Sequence, residues 1–528
     1  MLNFLSASFS KCYKFATVVS NASEGQPLMT PTLNVSYFGP IVFALCMIFL
    51  SEGFKLRHIP TEGGSALPIL SFAGAYHFLH NTAEVLQRGY DKHKGGVFRV
   101  PLIDRWLVVI TGSTLVDEVQ RMPPDKVSFA HASAEFIGSV FVFGNEVLRD
   151  PYHVAVIRDR LTRGAATLFA GMCDEIEAAF GDAVPADTNG WVSLPAHATM
   201  RQVVARATGR MFVGLPLCRN EDYLKLTLDL VHDVRKTRNI LTWIPRFLRP
   251  AVGKHVADRH SRAADCLRLI GPVVAARMAE MAKHGKDWRD RPNDLLQSLI
   301  EEIEKRGQGP YEIAQRLLLV NYVAIDTSSN SFTHALYHLA SAPEYLIPLR
   351  EEVERVIADE GWTKAAIGKM GKLDGFMRES QRVTGVITVA MLRKVMQPLT
   401  LSCGTHIPRG TLIAAPAAAT HLDPANYSDP DTFDPFRHSC EKEEGRSSQR
   451  RQFATTSADY LAFGHGKQAC PGRHIASSEL KAMMAYLVLN YDVRMADGVR
   501  PADVHAAMAV LPCPDARVLF RKRVPLVY

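Results

Sequence analysis

The stretch Phe463 to Gly472, reading Phe-Gly-His-Gly-Lys-Gln-Ala-Cys-Pro-Gly, constrains this chain more than any other. It sets Cys470 in a glycine-bordered loop, after a short apolar run read as a strand and before a helical pattern through Ala476, Leu480 and Met483. Backbone N–H groups of a tight loop and the positive end of the following helix stabilise a thiolate and lower the thiol pKa. Such a cysteine is suited to bind a metal through sulfur, with Phe463 shielding it from water. Two rival readings of the loop stand beside this one. Gly464-x-Gly466-x-x-Ala469 fits a dinucleotide fingerprint with Asp492 as ribose ligand, but it needs a strand before it and a doubly wound sheet after it, for which little chain remains. A cysteine nucleophile assisted by His465 or His474 is the other, and nothing else in the chain supports acyl transfer.

The pattern Phe-x-x-Gly-x-x-x-Cys-x-Gly, met by Phe463, Gly466, Cys470 and Gly472, resembles the haem-binding loop of the cytochrome P-450 superfamily of thiolate-haem monooxygenases. The resemblance implies a mainly α fold with small β-sheets, haem b (iron protoporphyrin IX) with Cys470 as metal ligand, and O2 as co-substrate. Gln468 stands where the family commonly has Arg or His, so a hydrogen-bond donor remains but the charge is lost.

Three further constellations follow the family's order. A helical pattern from about Pro310 to Ala340 holds Val323-Ala324-Ile325-Asp326-Thr327-Ser328, where small and polar residues in an apolar helix predict a local widening. By resemblance Thr327 would hold dioxygen and its water, and Asp326 would feed protons inward; Ala324 replaces the more usual Gly. Glu379 and Arg382 match the Glu-x-x-Arg signature, and Arg437 in Pro430-x-x-Phe433-x-Pro435-x-Arg437 would complete a structural Glu-Arg-Arg network. Glu352/Arg355, Glu118/Arg121 and Glu443/Arg446 share the spacing and read as surface pairs worth a few tenths of a kcal/mol. Arg393 sits where the family usually places a cation for a haem propionate. Arg158 is a second candidate, although the usual Trp-x-x-x-Arg is not kept. Pocket residues by resemblance are Val323, Ala324 and Thr327, the segment Val386 to Val389, and Phe129, Phe136 and Phe141.

The apolar run over about 34–51, with no charge between Glu24 and Glu52, reads as a single membrane span in residues 1–51. Residues 52–72, with Pro60, Gly63, Gly64 and Pro68, read as a hinge, leaving 73–528 as the catalytic domain. The expected location is the endoplasmic reticulum with the catalytic domain in the cytosol, and Asn21 and Asn34, both in Asn-x-Ser, as glycan acceptors on the lumenal side. Nine scattered cysteines without a Cys-x-x-Cys pair resemble reduced thiols rather than a disulfide framework. A net charge of +7 is modest for 528 residues and gives no reason to expect nucleic acid.

No flavin or nicotinamide site is legible, so the resemblance implies electrons from an NADPH–cytochrome P-450 reductase. Lys467, Arg473, Arg158, Arg160 and Arg163 offer a basic docking face. The expected substrate is a lipophilic small molecule. Segments Phe463 to Arg473 and Leu392 to Thr411 look most like fungal secondary-metabolism enzymes, similar to the ent-kaurene oxidase group, which implies a terpenoid. A thiolate-haem isomerase or dehydratase, and a non-catalytic haem sensor, are the competing function classes.

Overall fold

Alternating side chains on short strands build the sheet that carries one wall of the site. In β1 (Val97–Pro101) and β2 (Trp106–Ile110), Val97, Trp106, Val108 and Ile110 enter one apolar cluster, while Phe98, Val100, Leu107 and Val109 enter another. Period-two alternation with both faces apolar is what a sheet covered on both sides requires. β3 (Val127–Ser128), β4 (Val192–Pro195), β5 (Ala390–Val395), β6 (Leu399–Thr400), β7 (His406–Ile407) and β8 (Leu412–Ala415) follow. β9 (Tyr491–Met495), β10 (Val504–Ala506), β11 (Ala509–Leu511) and β12 (Arg517–Lys522) close the chain. The main sheet has the order β1-β2-β8-β5-β3, with β2 and β8 parallel and its other pairs antiparallel. β4-β12-β9, β10-β11 and β6-β7 form smaller sheets.

The computed structural model describes residues 53–439 and 452–523, except Pro245, Phe247 and Asp258. The chain divides into the units Met1–Met47 and Ile48–Tyr528, and the first lies wholly outside the described residues. The 34–51 run, Asn21, Asn34 and the Glu443/Arg446 pair also lie outside them. Among the described residues no helix is long and apolar enough to cross a membrane.

Helices dominate the remainder. The longer ones are α1 (Pro68–His80), α2 (Thr82–Lys92), α3 (Ala165–Ala183), α4 (Ala196–Phe212), α5 (Glu221–Thr242) and α6 (Arg259–His284). After them come α7 (Leu295–Arg306), α8 (Pro310–Ser341), α9 (Leu346–Glu360), α10 (Gly371–Val383) and α11 (Arg473–Asn490). Their ends follow local chemistry. Asn220 and Asp294 cap α5 and α7 by accepting from Tyr223 N and Gln297 N, and Pro310 opens α8 where its missing N–H costs nothing. α8 runs through the largest apolar cluster and packs on α4, α5, α6, α7, α10 and α11.

Three expectations change. The segment 52–72 is fastened down in its described part: Arg99 Nη1 donates to Gly53 O at 2.9 Å, Arg99 N donates to Pro60 O at 2.8 Å, and Leu56 and Ile59 are buried. Helix α1 begins inside that segment, and Gly64 lies so near it that a Cβ there would sit 2.6 Å from Gly74 Cα. Tyr460–Phe463 forms isolated bridges instead of a strand. Helix α8 is unbroken across 323–328, so the expected widening is absent; the Thr327 hydroxyl donates to Val323 O at 2.7 Å.

Candidate active site

The cysteine loop closes on itself through Cys470 N, which donates to Phe463 O at 2.9 Å. Gly464 and Gly466 take φ of +67° and +76°, the region that a side chain disfavours. At Gly466 a Cβ would also lie 2.1 Å from Gln120 Oε1 and 2.6 Å from Gln120 Cβ. Gly472 differs, with an ordinary φ of −91° and only Ile157 within 3.9 Å of a built Cβ, so sterics do not demand glycine there. Phe463 packs edge-on against Phe453 at 5.4 Å.

Cys470 presents an open sulfur that is nevertheless walled in by protein, and burial raises its thiol pKa. The backbone N–H groups of Gly472 and Arg473 and the Arg473 charge pull the other way without prevailing. The lowered pKa expected from loop and helix alone is thus corrected: desolvation wins until a cation binds the sulfur, which deprotonates a coordinating thiol outright.

Arg393 stands in β5 beyond an irregularity between Ala390 and Arg393, where Met391 adopts φ +54°. Such bulges re-aim the side chains that follow. Its guanidinium is 2% exposed, donates to Leu392 O at 2.8 Å and to Gln468 O at 3.3 Å, and faces the Phe129 ring at 5.7 Å. Among the described residues it has no carboxylate partner, and burial lowers its pKa to about 10. A buried cation without an acid beside an open thiol fits a ligand that carries both a metal and an anionic group.

Gln468 corrects a second expectation. Its Oε1 accepts from Phe129 N at 2.8 Å and its Nε2 donates to Val127 O at 2.9 Å, so both ends of the amide staple the cysteine loop to β3 and the helix Phe129–Ile137. Those ends are committed to backbone and not offered to a cofactor.

Helix α8 is almost wholly buried, yet Val323 and Thr327, one turn apart, lie open, with Ala324 partly so. Phe129 and Ile387 are likewise large apolar residues with open faces, at 47% and 41% exposure, while Val386 is half-buried. Phe141 instead packs into the core against Gly253, and Phe136 lies under the Arg238 guanidinium at 4.6 Å. Asp326 departs from the expected free relay: Arg235 of α5 donates to its Oδ1 at 2.6 Å. Burial still raises the Asp326 pKa, against the opposing pull of Arg235 and Arg201.

Glu379, Arg382 and Arg437 do meet. Arg382 donates to both Glu379 oxygens at 2.7 and 2.8 Å, and Arg437 Nε donates to Oε1 at 3.0 Å. His438 and Asp434 N complete the shell at 3.1 and 3.2 Å, while Arg382 also donates to the carbonyls of His421, Pro430 and Thr432. Burial would raise the Glu379 carboxyl, but the hydrogen bonds from Arg382 and His438 outweigh it and hold it at about 2. The pairs read as surface decoration differ too: buried Glu352 accepts from Lys372 N and Leu373 N, both at 2.9 Å, which caps α10, and Glu118 accepts from Ser402 N.

On the outer side of the cysteine loop, Arg158, Lys467, Arg473 and His474 line a hollow of about 410 Å³. Arg158 is exposed there, on a single π-helical turn. Arg160 and Arg163, expected in the same basic face, are already paired, with Glu301 and Glu302 and with Asp159. Residues on which the rival readings lean are engaged elsewhere. His465 is held by Thr456 at 3.0 Å and Asp117 at 3.5 Å, and Asp492 is bound by Arg350 and Arg521. Sequence reasoning missed the Gln468 staple, the Arg235–Asp326 pair and the place of His438; only the last had a local signal, as neighbour of Arg437.

A family model described as Cytochrome P450 matches residues 63–520. Cytochrome P450 monooxygenase 151 of Postia placenta is 42% identical over 498 residues, covering 94% of this chain and 100% of the relative. Ent-kaurene oxidase P450-4 of Gibberella fujikuroi is 31% identical over 454 residues, covering 84% of this chain and 89% of the relative. The heme domain of cytochrome P450DA superposes with a TM-score of 0.63 at 17% identity, over 88% of this chain and 98% of that chain, a likeness of fold.

Proposed function

The chain belongs to the cytochrome P450 family, and on that premise we propose that it inserts one oxygen atom from O2 into a C–H bond of a lipophilic terpenoid in secondary metabolism, with electrons from NADPH through a separate reductase. The observation that carries this reading is the open, walled-in sulfur of Cys470 beside the buried, acid-free guanidinium of Arg393. Cys470 would ligate the haem iron and Arg393 would meet a propionate. When bound, thiolate-ligated haem supplies redox-active iron that favours O–O cleavage. The terpenoid assignment draws support from the similarity to a protein named an ent-kaurene oxidase.

The residues divide the remaining work. Val323, Ala324, Val386, Ile387 and Phe129 give an apolar lining that excludes water and holds a lipophilic substrate. The Thr327 hydroxyl, now donating to Val323 O, can turn to hydrogen-bond a small ligand on that stripe. Asp326 is the acid on the same turn, and moving a proton inward requires it to loosen from Arg235. The Glu379–Arg382–Arg437 cluster holds the segment 428–438 by side chain and backbone together. Arg158, Lys467 and Arg473 form the positive rim for an acidic flavin domain, to be read from the salt dependence of turnover. The apolar run 34–51 would hold the catalytic unit to the endoplasmic reticulum, which alkaline extraction of membranes tests.

The reduced, carbon-monoxide-bound spectrum followed by assay with reductase and NADPH tests the function. A thiolate band with NADPH-dependent oxygenation is expected. A thiolate band with NADPH-independent rearrangement marks an isomerase or dehydratase, and a band with no turnover of any terpenoid marks a sensor; either result overturns the monooxygenase reading.

A further inference from the structure

Helices α4 and α5 bring three guanidinium groups, Arg201 from α4 and Arg235 and Arg238 from α5, toward the polar turn of α8. Asp326 is the acid they meet there, and Arg235 already holds it at 2.6 Å. Arg201 also feels Asp229, donates to Leu228 O at 3.1 Å, and leaves its buried Nε without a partner. Arg238 has less still. Among the described residues its guanidinium has no salt bridge and no hydrogen-bond acceptor; Tyr322 and Asp326 act on it only electrostatically, and the Phe136 ring faces it at 4.6 Å. The surroundings are desolvating, and burial holds its pKa below the usual guanidinium value. An aromatic face attracts a cation but falls short of replacing a full counter-charge.

Its position gives the imbalance a use. Phe136 belongs to the helix Phe129–Ile137, whose first residue is the open Phe129. Arg238 also acts electrostatically on Tyr322 and Asp326 of α8, the residues flanking the open stripe of Val323 and Thr327. A cation with no salt bridge among the described residues thus stands between two elements that supply the apolar lining.

We propose that Arg238 is a specificity-determining residue that binds the carboxylate of an otherwise apolar substrate, so that the enzyme takes lipophilic acids in preference to their neutral counterparts. This rests on the reading of that lining as the substrate site. A planar guanidinium matches a carboxylate in two parallel hydrogen bonds, which a neutral ester cannot reproduce. A carboxylate fixed at Arg238 would also anchor one end of the substrate and so select which carbon reaches the open stripe.

The test is calorimetric titration of the holoenzyme with abietic acid, dodecanoic acid and the methyl ester of each, in wild type, Arg238→Leu and Arg238→Lys. For at least one acid the wild type is expected to bind it tenfold or more tighter than its ester. Arg238→Leu is expected to reduce that ratio to within twofold by weakening the acid, and Arg238→Lys to restore part of it. Equal binding of acid and ester by wild type, no binding of either acid, or a ratio that survives in Arg238→Leu overturns the proposal. Because heat of binding needs neither reductase nor turnover, this result is independent of the oxygenation assay: a failed oxygenation assay with an intact acid preference sinks the monooxygenase reading alone.

Discussion

Arg382 and Arg393 are both almost fully buried, at 1% and 2% exposure, and their surroundings are opposite. Arg382 is saturated, with both oxygens of Glu379 and three carbonyls within hydrogen-bond reach. Arg393 has two carbonyls, an aromatic ring and, among the described residues, no acid. A buried charge that the polypeptide itself neutralises holds the fold, whereas the one at Arg393 is, on the reading proposed above, where a propionate would be received.

The most severe way to sharpen the comparison is to remove the group that the open region exists to present. Cys470→Ala is expected to abolish the thiolate band in the reduced carbon-monoxide spectrum and all NADPH-dependent oxidation, while circular dichroism still reports a helical protein; undiminished turnover would break the contrast at its centre. On the saturated side, Glu379→Ala strands Arg382 and Arg437 and is expected to cost about 3–5 kcal/mol in chemical denaturation. A loss below about 1 kcal/mol would show that the cluster is not framework.

Acid titration probes the same side more gently. Glu379 in the fold has a pKa of about 2 against an ordinary 4.5, so it adds stability that is complete above the unfolded value and is lost as pH falls from about 4.5 toward 2. The difference between wild type and Glu379→Gln over that window is expected to shrink by about 3 kcal/mol, and a difference that stays constant with pH would contradict the depressed value. Arg393→Met should do the reverse of Glu379→Ala. It relieves an uncompensated charge, so stability of the haem-free protein is expected to hold or rise, while haem transfer to apomyoglobin speeds up about tenfold, the equivalent of one charge-assisted hydrogen bond. The smallest effect is expected of Gln468→Ala, which cuts the staple to Val127 and Phe129 at a cost of about 1 kcal/mol in thermal unfolding.

What was legible in the sequence was what neighbouring positions decide. The glycines of the cysteine loop, the Glu379–Arg382 spacing and the start of α8 at Pro310 each follow from local geometry. The missed features join residues far apart in the chain. Gln468 reaches Val127 and Phe129, Arg235 reaches Asp326, and Glu352 caps a helix that begins at Gly371. No periodicity encodes such partners. The thiol pKa failed for the same reason: loop and helix dipole are local, but desolvation comes from everything packed around Cys470. In α8 the composition of 323–328 was read as a local widening, yet the helix runs through unbroken, with the Thr327 hydroxyl donating to the carbonyl one turn back.

Gly466 carries a consequence for how this loop can diversify. Two independent obstacles guard the position, a left-handed backbone and the flank of Gln120, and removing either leaves the other standing. A descendant that trimmed residue 120 would gain nothing at 466 unless the turn were also rebuilt. Randomised libraries confined to the loop should therefore return glycine at 466, and departures from it are to be sought only among clones altered at both places.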